Sequence, residues 1–189
     1  ERTANLTTED AVQLIRGPRG TTVTLTIYHE GGKEPSNIKV VREVIDIPTI
    51  NTRVMPDGVF VIELYSFSAQ SPNLFRGALR EFITSGADKL ILDLRGNPGG
   101  YLEAAIDMSS WFLPSSAIVV QEDFGGSDEG KGYRSKGYDV FNDNLKFVVL
   151  VDKGSASASE IFAGAMKENG SAKIVGEQTF AEAVNDSEY

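Results

Sequence analysis

Short apolar runs and amphipathic stretches alternate along most of the chain. Mostly apolar runs of strand length lie at 59–67, 89–94, 117–121 and 147–151. Stretches with apolar residues at helical spacing lie at 72–85, 102–113 and 158–167. The first pattern is typical of buried strands and the second of helices with one apolar face. Strands and helices that alternate in this way predict an α/β fold with a largely parallel sheet.

A smaller module precedes this alternation. A short helix is predicted to start at residues 7–10, and residues 21–28 alternate strictly between polar and apolar side chains, as in a half-buried strand. Residues 36–44 predict a second strand. One helix and two strands are too few to bury a core alone. We therefore predict two domains, a small module at 1–44 and a larger α/β domain at 45–189.

Two segments predict irregular structure instead. Pro48 keeps the segment 45–53 out of a central strand, because proline cannot donate a ladder hydrogen bond. The segment 123–139 is polar and rich in glycine, a composition typical of loops.

Composition and charge exclude several classes of function. The net charge is −9, which argues against a nucleic-acid partner. Cysteine is absent, so neither a disulfide nor a thiolate metal site is expected, and we predict no metal and no cofactor. No apolar run approaches the 18 residues of a membrane span. A precursor could carry a signal or a membrane anchor upstream of Glu1, and the sequence leaves the oligomeric state open.

A serine follows the strand at 147–151. The turn after this strand leads into a Ser-Ala-Ser-Glu sequence that begins at Ser157, and an amphipathic helix follows. A serine at such a turn projects from the end of the sheet, and the free N–H groups of the first helical turn, among them that of Ala158, could stabilise an oxyanion. The same sequence is also a capping box, so the alternative is that Ser157 only caps the helix.

The only histidine, His29, lies in a glycine-containing turn between two predicted strands. We do not expect it to act as a triad base, because a loop tip rarely has the packing that orients a base. A serine enzyme with this sequence would need another base, and lysine is a known variant.

A second turn follows the strand at 89–94. The sequence Asp-Leu-Arg-Gly-Asn-Pro-Gly-Gly from Asp93 to Gly100 allows the backbone to approach a ligand closely. It contains neither of the common phosphate-binding motifs. Without further information it is equally well explained as a tight strand-to-helix loop.

Together these two motifs resemble those of the C-terminal processing (tail-specific) serine peptidases. The resemblance rests on DLRGNPGG and GSASASEIFAGAMK, supported by the segments ELYSFS, LEAAIDMSSWFLP and AKIVGEQTF, and it covers about residues 7–180. The small module resembles the second half of a PDZ domain of the type inserted in these peptidases. The resemblance implies a crotonase-like α/β core and an extracytoplasmic location, periplasmic or in the cell envelope. It also implies a Ser/Lys dyad that cleaves protein or peptide substrates near the C-terminal tails of exported proteins.

Matching the family's motifs residue by residue assigns roles to four positions. The nucleophile falls on Ser157, and the backbone N–H groups of Ala158 and Gly99 would form the oxyanion hole. The catalytic lysine of the family follows in a Gly-Lys-Gly sequence, but Glu182 occupies its place here. The substrate would add as a strand along the edge at 65–67.

The substitution at Glu182 has two explanations. The protein could be a naturally inactive relative that binds peptides or serves as a scaffold. Alternatively, a segment after Phe180 is missing from this sequence, so that the peptidase core is incomplete after about residue 180. We favour the second, because the resemblance is continuous up to Phe180 and then stops abruptly.

A crotonase-type acyl-CoA enzyme is a third alternative for the function. It is disfavoured because no basic phosphate-binding patch is present.

Overall fold

The structure is a computed structural model that describes residues 6, 8–28, 34–44, 48–122, 130–141 and 144–180. The chain divides into two compact units, Glu1–Ile47 and Pro48–Tyr189. This division falls three residues after the predicted domain boundary. The assignment of the first unit to half of a PDZ domain stays a prediction.

The first unit contains a helix and a hairpin. Helix α1 spans Thr8–Ile15, and strands β1 (Thr22–Ile27) and β2 (Ser36–Val41) pair antiparallel. The side chain of Arg42 ties the parts of this unit together, because its Nε donates to the carbonyl of Ile15 at 2.7 Å and its Nη1 to the hydroxyl of Thr21 at 2.8 Å.

The second unit is built on a five-stranded sheet. Its elements, in chain order, are β3 (Ile50–Val54), β4 (Val59–Leu64), α2 (Ser71–Ser85), β5 (Lys89–Asp93), α3 (Leu102–Ser109), β6 (Ile118–Glu122), β7 (Lys131–Arg134), β8 (Lys146–Val151), α4 (Ala158–Glu168) and β9 (Lys173–Gly176). The strand order is β3-β4-β5-β8-β9, with β3 antiparallel to β4 and the other pairs parallel. The predicted α/β fold with a largely parallel sheet is confirmed.

One apolar cluster holds the helices against one face of the sheet. Every second residue of the three central strands belongs to it: Phe60, Ile62 and Leu64 of β4, Leu90 and Leu92 of β5, and Phe147, Val149 and Val151 of β8. Helix α4 contributes Phe162 and Met166, neither of which has any exposed surface. Burying a side chain of this size contributes about 1.5–3 kcal/mol. The cluster therefore fixes α4, and with it the residue that precedes α4, against the sheet.

Two strands, β3 and β7, lie in segments that were predicted to be irregular. Residues 50–53 of the first segment belong to β3, which is an edge strand and not a central one. The strand predicted at 117–121 is present as β6, which pairs with β7 in a separate two-stranded sheet. Strand β7 itself lies within the segment that was predicted to be a loop.

Among the described residues, no helix combines the length and the apolar character needed to cross a membrane.

Candidate active site

Ser157 stands directly before α4 in an unusual backbone conformation. Its φ is 51° and its ψ is −115°. Among the described residues only Asp139 shares a positive φ without being glycine. Such a conformation costs about 1–3 kcal/mol and persists only where the surroundings enforce it. Ser157 is exposed while Ala158, the next residue, is buried, so the strained residue presents its side chain to solvent.

The first turn of α4 enforces this conformation. The carboxylate of Glu160, which is buried, accepts a hydrogen bond from the N–H of Ser157 at 2.8 Å and another from the hydroxyl of Thr179 at 2.6 Å. The carbonyl of Ser157 accepts hydrogen bonds from the N–H groups of Glu160 and Ile161 at 2.9 and 3.0 Å. Both backbone polar groups of Ser157 are therefore hydrogen-bonded. The bond from its N–H to Glu160 is the one that a capping-box sequence predicts.

The glycine loop between β5 and α3 is organised by Asn97, which is fully buried. Its side-chain amide donates to the carbonyl of Leu64 at 2.8 Å, and its side-chain oxygen accepts the N–H of Gly99 at 2.9 Å. Its backbone carbonyl accepts the N–H of Ala156 at 3.1 Å and the hydroxyl of Ser159 at 3.0 Å. One residue thus joins the end of β4, the glycine loop and the start of α4.

Gly99 brings the loop into contact with the serine turn. A Cβ atom at this position would lie 2.6 Å from the carbonyl oxygen of Ala156, 2.8 Å from the nitrogen of Ala158 and 2.9 Å from the Cβ of Ser157. The φ of Gly99 is 96°, in the region that favours glycine. Only glycine can therefore occupy this position, and the structure places Ser157, Ala158 and Gly99 close together.

The hydrogen-bond donors near Ser157 differ in their availability. The N–H of Ala158 has no acceptor among the described residues, and neither has that of Gly100. The N–H of Gly99 already donates to Asn97. The N–H of Gly99 would contribute to an oxyanion hole only by sharing its hydrogen with Asn97, so its role as a donor stays a prediction. The N–H of Gly100 next to it has no acceptor among the described residues.

The edge at 65–67, predicted to receive a substrate strand, is partly occupied. The N–H of Phe67 donates to the carbonyl of Gly99, and its carbonyl accepts the N–H of Tyr101, both at 2.8 Å. The N–H of Tyr65 donates to the carbonyl of Thr49 at 3.0 Å. The carbonyl of Tyr65 and both backbone groups of Ser66 have no partner among the described residues.

A charged cavity of about 210 Å³ lies at the carboxyl ends of the central strands, lined by Glu63, Tyr65, Asp93, Arg95 and Asp152. Burial opposes the ionisation of Asp93. Two hydrogen bonds from the guanidinium of Arg95, at 2.9 and 2.6 Å, act together with the backbone N–H and the positive charge of the same residue to hold the pKa of Asp93 below its usual value. No group of three or more metal-binding side chains is found in the part of the chain that the structure describes.

The sequence model of peptidase family S41 matches residues 58–189, which include Ser157 and both loops of the site. The chain belongs to peptidase family S41. The part of the family's match that follows Phe180 lies outside the described residues.

Relatives with known names support the same assignment. This S41 chain is 36% identical to a carboxyl-terminal-processing protease of Synechocystis sp., over 98% of this chain and 43% of that protein. It is 35% identical to a protease of the same name from Picosynechococcus sp., over 98% of this chain and 44% of that protein. The chain therefore spans less than half the length of these relatives.

A solved structure confirms the fold of the S41 chain. The photosystem II D1 C-terminal processing protease superposes with a TM-score of 0.74 and 24% sequence identity, over 90% of this chain and 47% of that one. At this identity the likeness concerns the fold alone, and it supports the mixed α/β architecture described above.

Among the described residues of this S41 chain no lysine is buried, as the base of a Ser/Lys dyad would be. Glu182, in the position expected for the lysine, and His29 both lie outside the described residues. Lys153, which precedes Ser157 in the same turn, Lys167 and Lys173 are all exposed. Two residues before Glu182, the chain lies beside the serine turn: the N–H of Phe180 donates to the carbonyl of Ser155 at 3.0 Å.

Three residues of the site were not assigned roles from the sequence. Asn97 lies within the glycine motif, and Thr179 within a segment that resembles the family, but neither position has a pattern that indicates its partner. Asp152 follows β8, and nothing in the spacing of the S41 motifs indicates that it contacts the glycine loop.

Proposed function

We propose that this protein is a serine endopeptidase that cleaves protein substrates near their C-termini, with Ser157 as the nucleophile. The observation that carries the proposal is an exposed serine with a strained backbone, located at the start of α4 and against Gly99, in a chain of peptidase family S41. A serine that only capped its helix would not need a positive φ, since capping residues ordinarily have an extended backbone.

The chemistry would proceed in two steps. The hydroxyl oxygen of Ser157 attacks the scissile carbonyl while a base takes its proton, and the amine leaves with a proton to give an acyl-enzyme that water hydrolyses. The N–H of Ala158 and one from the glycine loop, from Gly99 or Gly100, would stabilise the oxyanion. Loss of one such donor typically costs about 2.7–4 kcal/mol of transition-state stabilisation.

We assign the role of base to a lysine, which would form a Ser/Lys dyad with Ser157. That lysine is not present in this sequence at the expected position, where Glu182 stands. A buried lysine can serve as a base because desolvation lowers its pKa.

The substrate class follows from the family. The relatives are named for carboxyl-terminal processing, and the superposed structure for processing of the D1 C-terminus. We propose that the substrates are exported proteins recognised by their C-terminal tails, that the core is of the crotonase-like type, and that the module at 1–44 is the second half of a PDZ domain. The protein would then act outside the cytoplasm, with a membrane anchor upstream of Glu1 as one arrangement.

Replacement of the nucleophile tests the proposal. In the full-length protein, Ser157→Ala should abolish cleavage of an unfolded protein substrate, whereas Ser116→Ala, which changes an exposed serine in the turn before β6, should leave cleavage unchanged. Products are separated by chromatography and identified by mass spectrometry. Undiminished turnover by Ser157→Ala would exclude the proposed mechanism.

Glu182 favours a second candidate, an inactive relative that binds peptide tails without cutting them. Peptide mapping of the purified protein across Phe180, together with titration of a C-terminal peptide, separates the two. A Gly-Lys-Gly sequence after Phe180 would support the peptidase. A continuous Thr179-Phe180-Ala181-Glu182 sequence, with saturable binding and no product, would support the binding protein.

A further inference from the structure

The two loops of the site are joined by a carboxylate that does not contact Ser157. Asp152 follows β8 directly, and its Oδ1 accepts the N–H of Gly96 at 2.8 Å and the N–H of Gly154 at 2.9 Å. Gly96 belongs to the glycine loop after β5, and Gly154 to the turn that leads to Ser157. A single oxygen atom therefore connects the two segments that carry the donors of the oxyanion hole.

Ser155 makes a second connection between the same segments. Its hydroxyl donates to the carbonyl of Leu94 at 2.7 Å and accepts the N–H of Asp152 at 3.0 Å, and the side chain is fully buried. The segments are also in close contact, since a Cβ atom on Gly154 would lie 2.9 Å from the Cα of Gly96. The separation of the two loops is thus set by short, direct contacts.

The ionised state of Asp152 strengthens its contacts. Hydrogen bonds to a charged acceptor are roughly twice as strong as those between neutral groups. The N–H groups of Gly96 and Gly154 lower the pKa of this carboxyl below its ordinary value, so it is ionised at neutral pH. The other titratable groups that line the same cavity are Glu63, Tyr65, Asp93 and Arg95, and the guanidinium of Arg95 is bound to Asp93.

We propose that Asp152 is a positioning residue of the peptidase site, whose carboxylate holds the glycine loop at the distance from the serine turn that the two oxyanion donors require. This inference rests on the proposed function. Small displacements of a catalytic group can reduce a rate by up to about 100-fold, and an oxyanion hole acts on the transition state more than on the bound substrate.

The kinetic test compares three variants of the full-length protein. Asp152→Ala removes the acceptor and should lower kcat about 10- to 100-fold with KM changed less than twofold. Asp152→Asn keeps an acceptor oxygen in the same place but loses the charge, so its kcat should lie between that of Asp152→Ala and that of the unmodified protein. Asp88→Ala removes an exposed aspartate that forms a 3.5 Å ion pair with the exposed Lys146, and it should behave like the unmodified protein. An unchanged kcat in Asp152→Ala, a loss confined to KM, or an Asn variant as impaired as the Ala variant would overturn the proposal.

A measurement without catalysis separates this inference from the proposed function. Amide hydrogen exchange of Gly96 and Gly154 should accelerate at least 10-fold in Asp152→Ala, while exchange in β5 stays unchanged. Unaltered exchange at both glycines would overturn the inference even in an active peptidase. If the unmodified protein cleaves nothing, the proposed function fails and the catalytic part of the inference with it, whereas faster exchange would still establish that Asp152 joins the loops.

Discussion

At the scale of single residues, the site depends on close backbone approaches more than on side-chain chemistry. Ser157 has a strained φ because Glu160 holds its N–H and the start of α4 holds its carbonyl. Gly99 fits only because it lacks a Cβ atom. Substitutions at these positions should therefore displace the backbone around Ser157. They should reduce the cleavage rate strongly and the free energy of unfolding only moderately.

Gly99→Ala should abolish activity and destabilise the protein. The new methyl group would meet backbone atoms of residues 156 and 158 at less than 3 Å, which side-chain rotation cannot relieve. Overpacking of this kind and the unfavourable φ each cost about 1–3 kcal/mol. The matched control is Gly77→Ala, within helix α2, where a Cβ atom meets nothing within 4 Å and should stabilise by about 0.4–1 kcal/mol. Urea unfolding measures both effects, and equal stability of the two variants would contradict the prediction.

At the scale of secondary-structure elements, buried polar contacts join the end of β4, the glycine loop and α4. Asn97 makes three of these connections from a position with no exposed surface. Buried polar groups that lose their partner cost more than the hydrogen bond contributes when it is present. Loss of the Asn97 side chain should therefore destabilise the whole glycine loop and not one contact alone.

Asn97→Ala should lower the free energy of unfolding by about 1–3 kcal/mol for each group that it leaves unpaired. These groups are the carbonyl of Leu64 and the N–H of Gly99. Asn73→Ala, an exposed asparagine of α2, is the control and should change stability by less than about 0.5 kcal/mol. Chemical denaturation followed by circular dichroism measures the difference. A loss below that of the control would show that the loop does not depend on Asn97.

Two helices were predicted to within one residue, whereas α3, predicted at 102–113, ends at Ser109. Helix α2 was predicted at 72–85 and spans Ser71–Ser85, and α4 was predicted at 158–167 and spans Ala158–Glu168, because their apolar spacing and end signals are local. Strands β3 and β7 were missed, since an edge strand and a surface hairpin need no apolar run. The contact of Asp152 with Gly96 was also missed, because it joins residues 56 positions apart and no local pattern records such a pairing.

At the scale of the whole molecule, the second unit carries acidic groups whose ionised forms the fold stabilises. Hydrogen bonds from Asn51, Tyr65 and Arg53 lower the pKa of Glu63 despite partial burial. Hydrogen bonds from Arg95 lower the pKa of Asp93, and backbone N–H groups lower that of Asp152. A carboxyl with a lower pKa in the folded state stabilises the fold above its unfolded pKa, and this contribution is lost as the pH falls through the folded value.

The stability of the second unit should therefore be nearly constant from neutral pH to about pH 5 and should fall below about pH 4, where unfolded carboxyl groups bind protons. Trp111 is the only tryptophan, so its fluorescence reports on this unit alone during urea unfolding at each pH. The double variant Asp93→Asn with Glu63→Gln should show a shallower fall. A fall equally steep in both proteins would exclude these two groups as its origin.

The central claim, that Ser157 is the nucleophile of a serine peptidase, is tested most directly by a covalent probe. The full-length protein is treated with a fluorophosphonate, its intact mass is measured, and the adduct is located by peptide mapping. We expect one adduct per chain, on Ser157, and none in Ser157→Ala. An unmodified protein, or an adduct on Ser155 or Ser159 instead, would contradict the assignment.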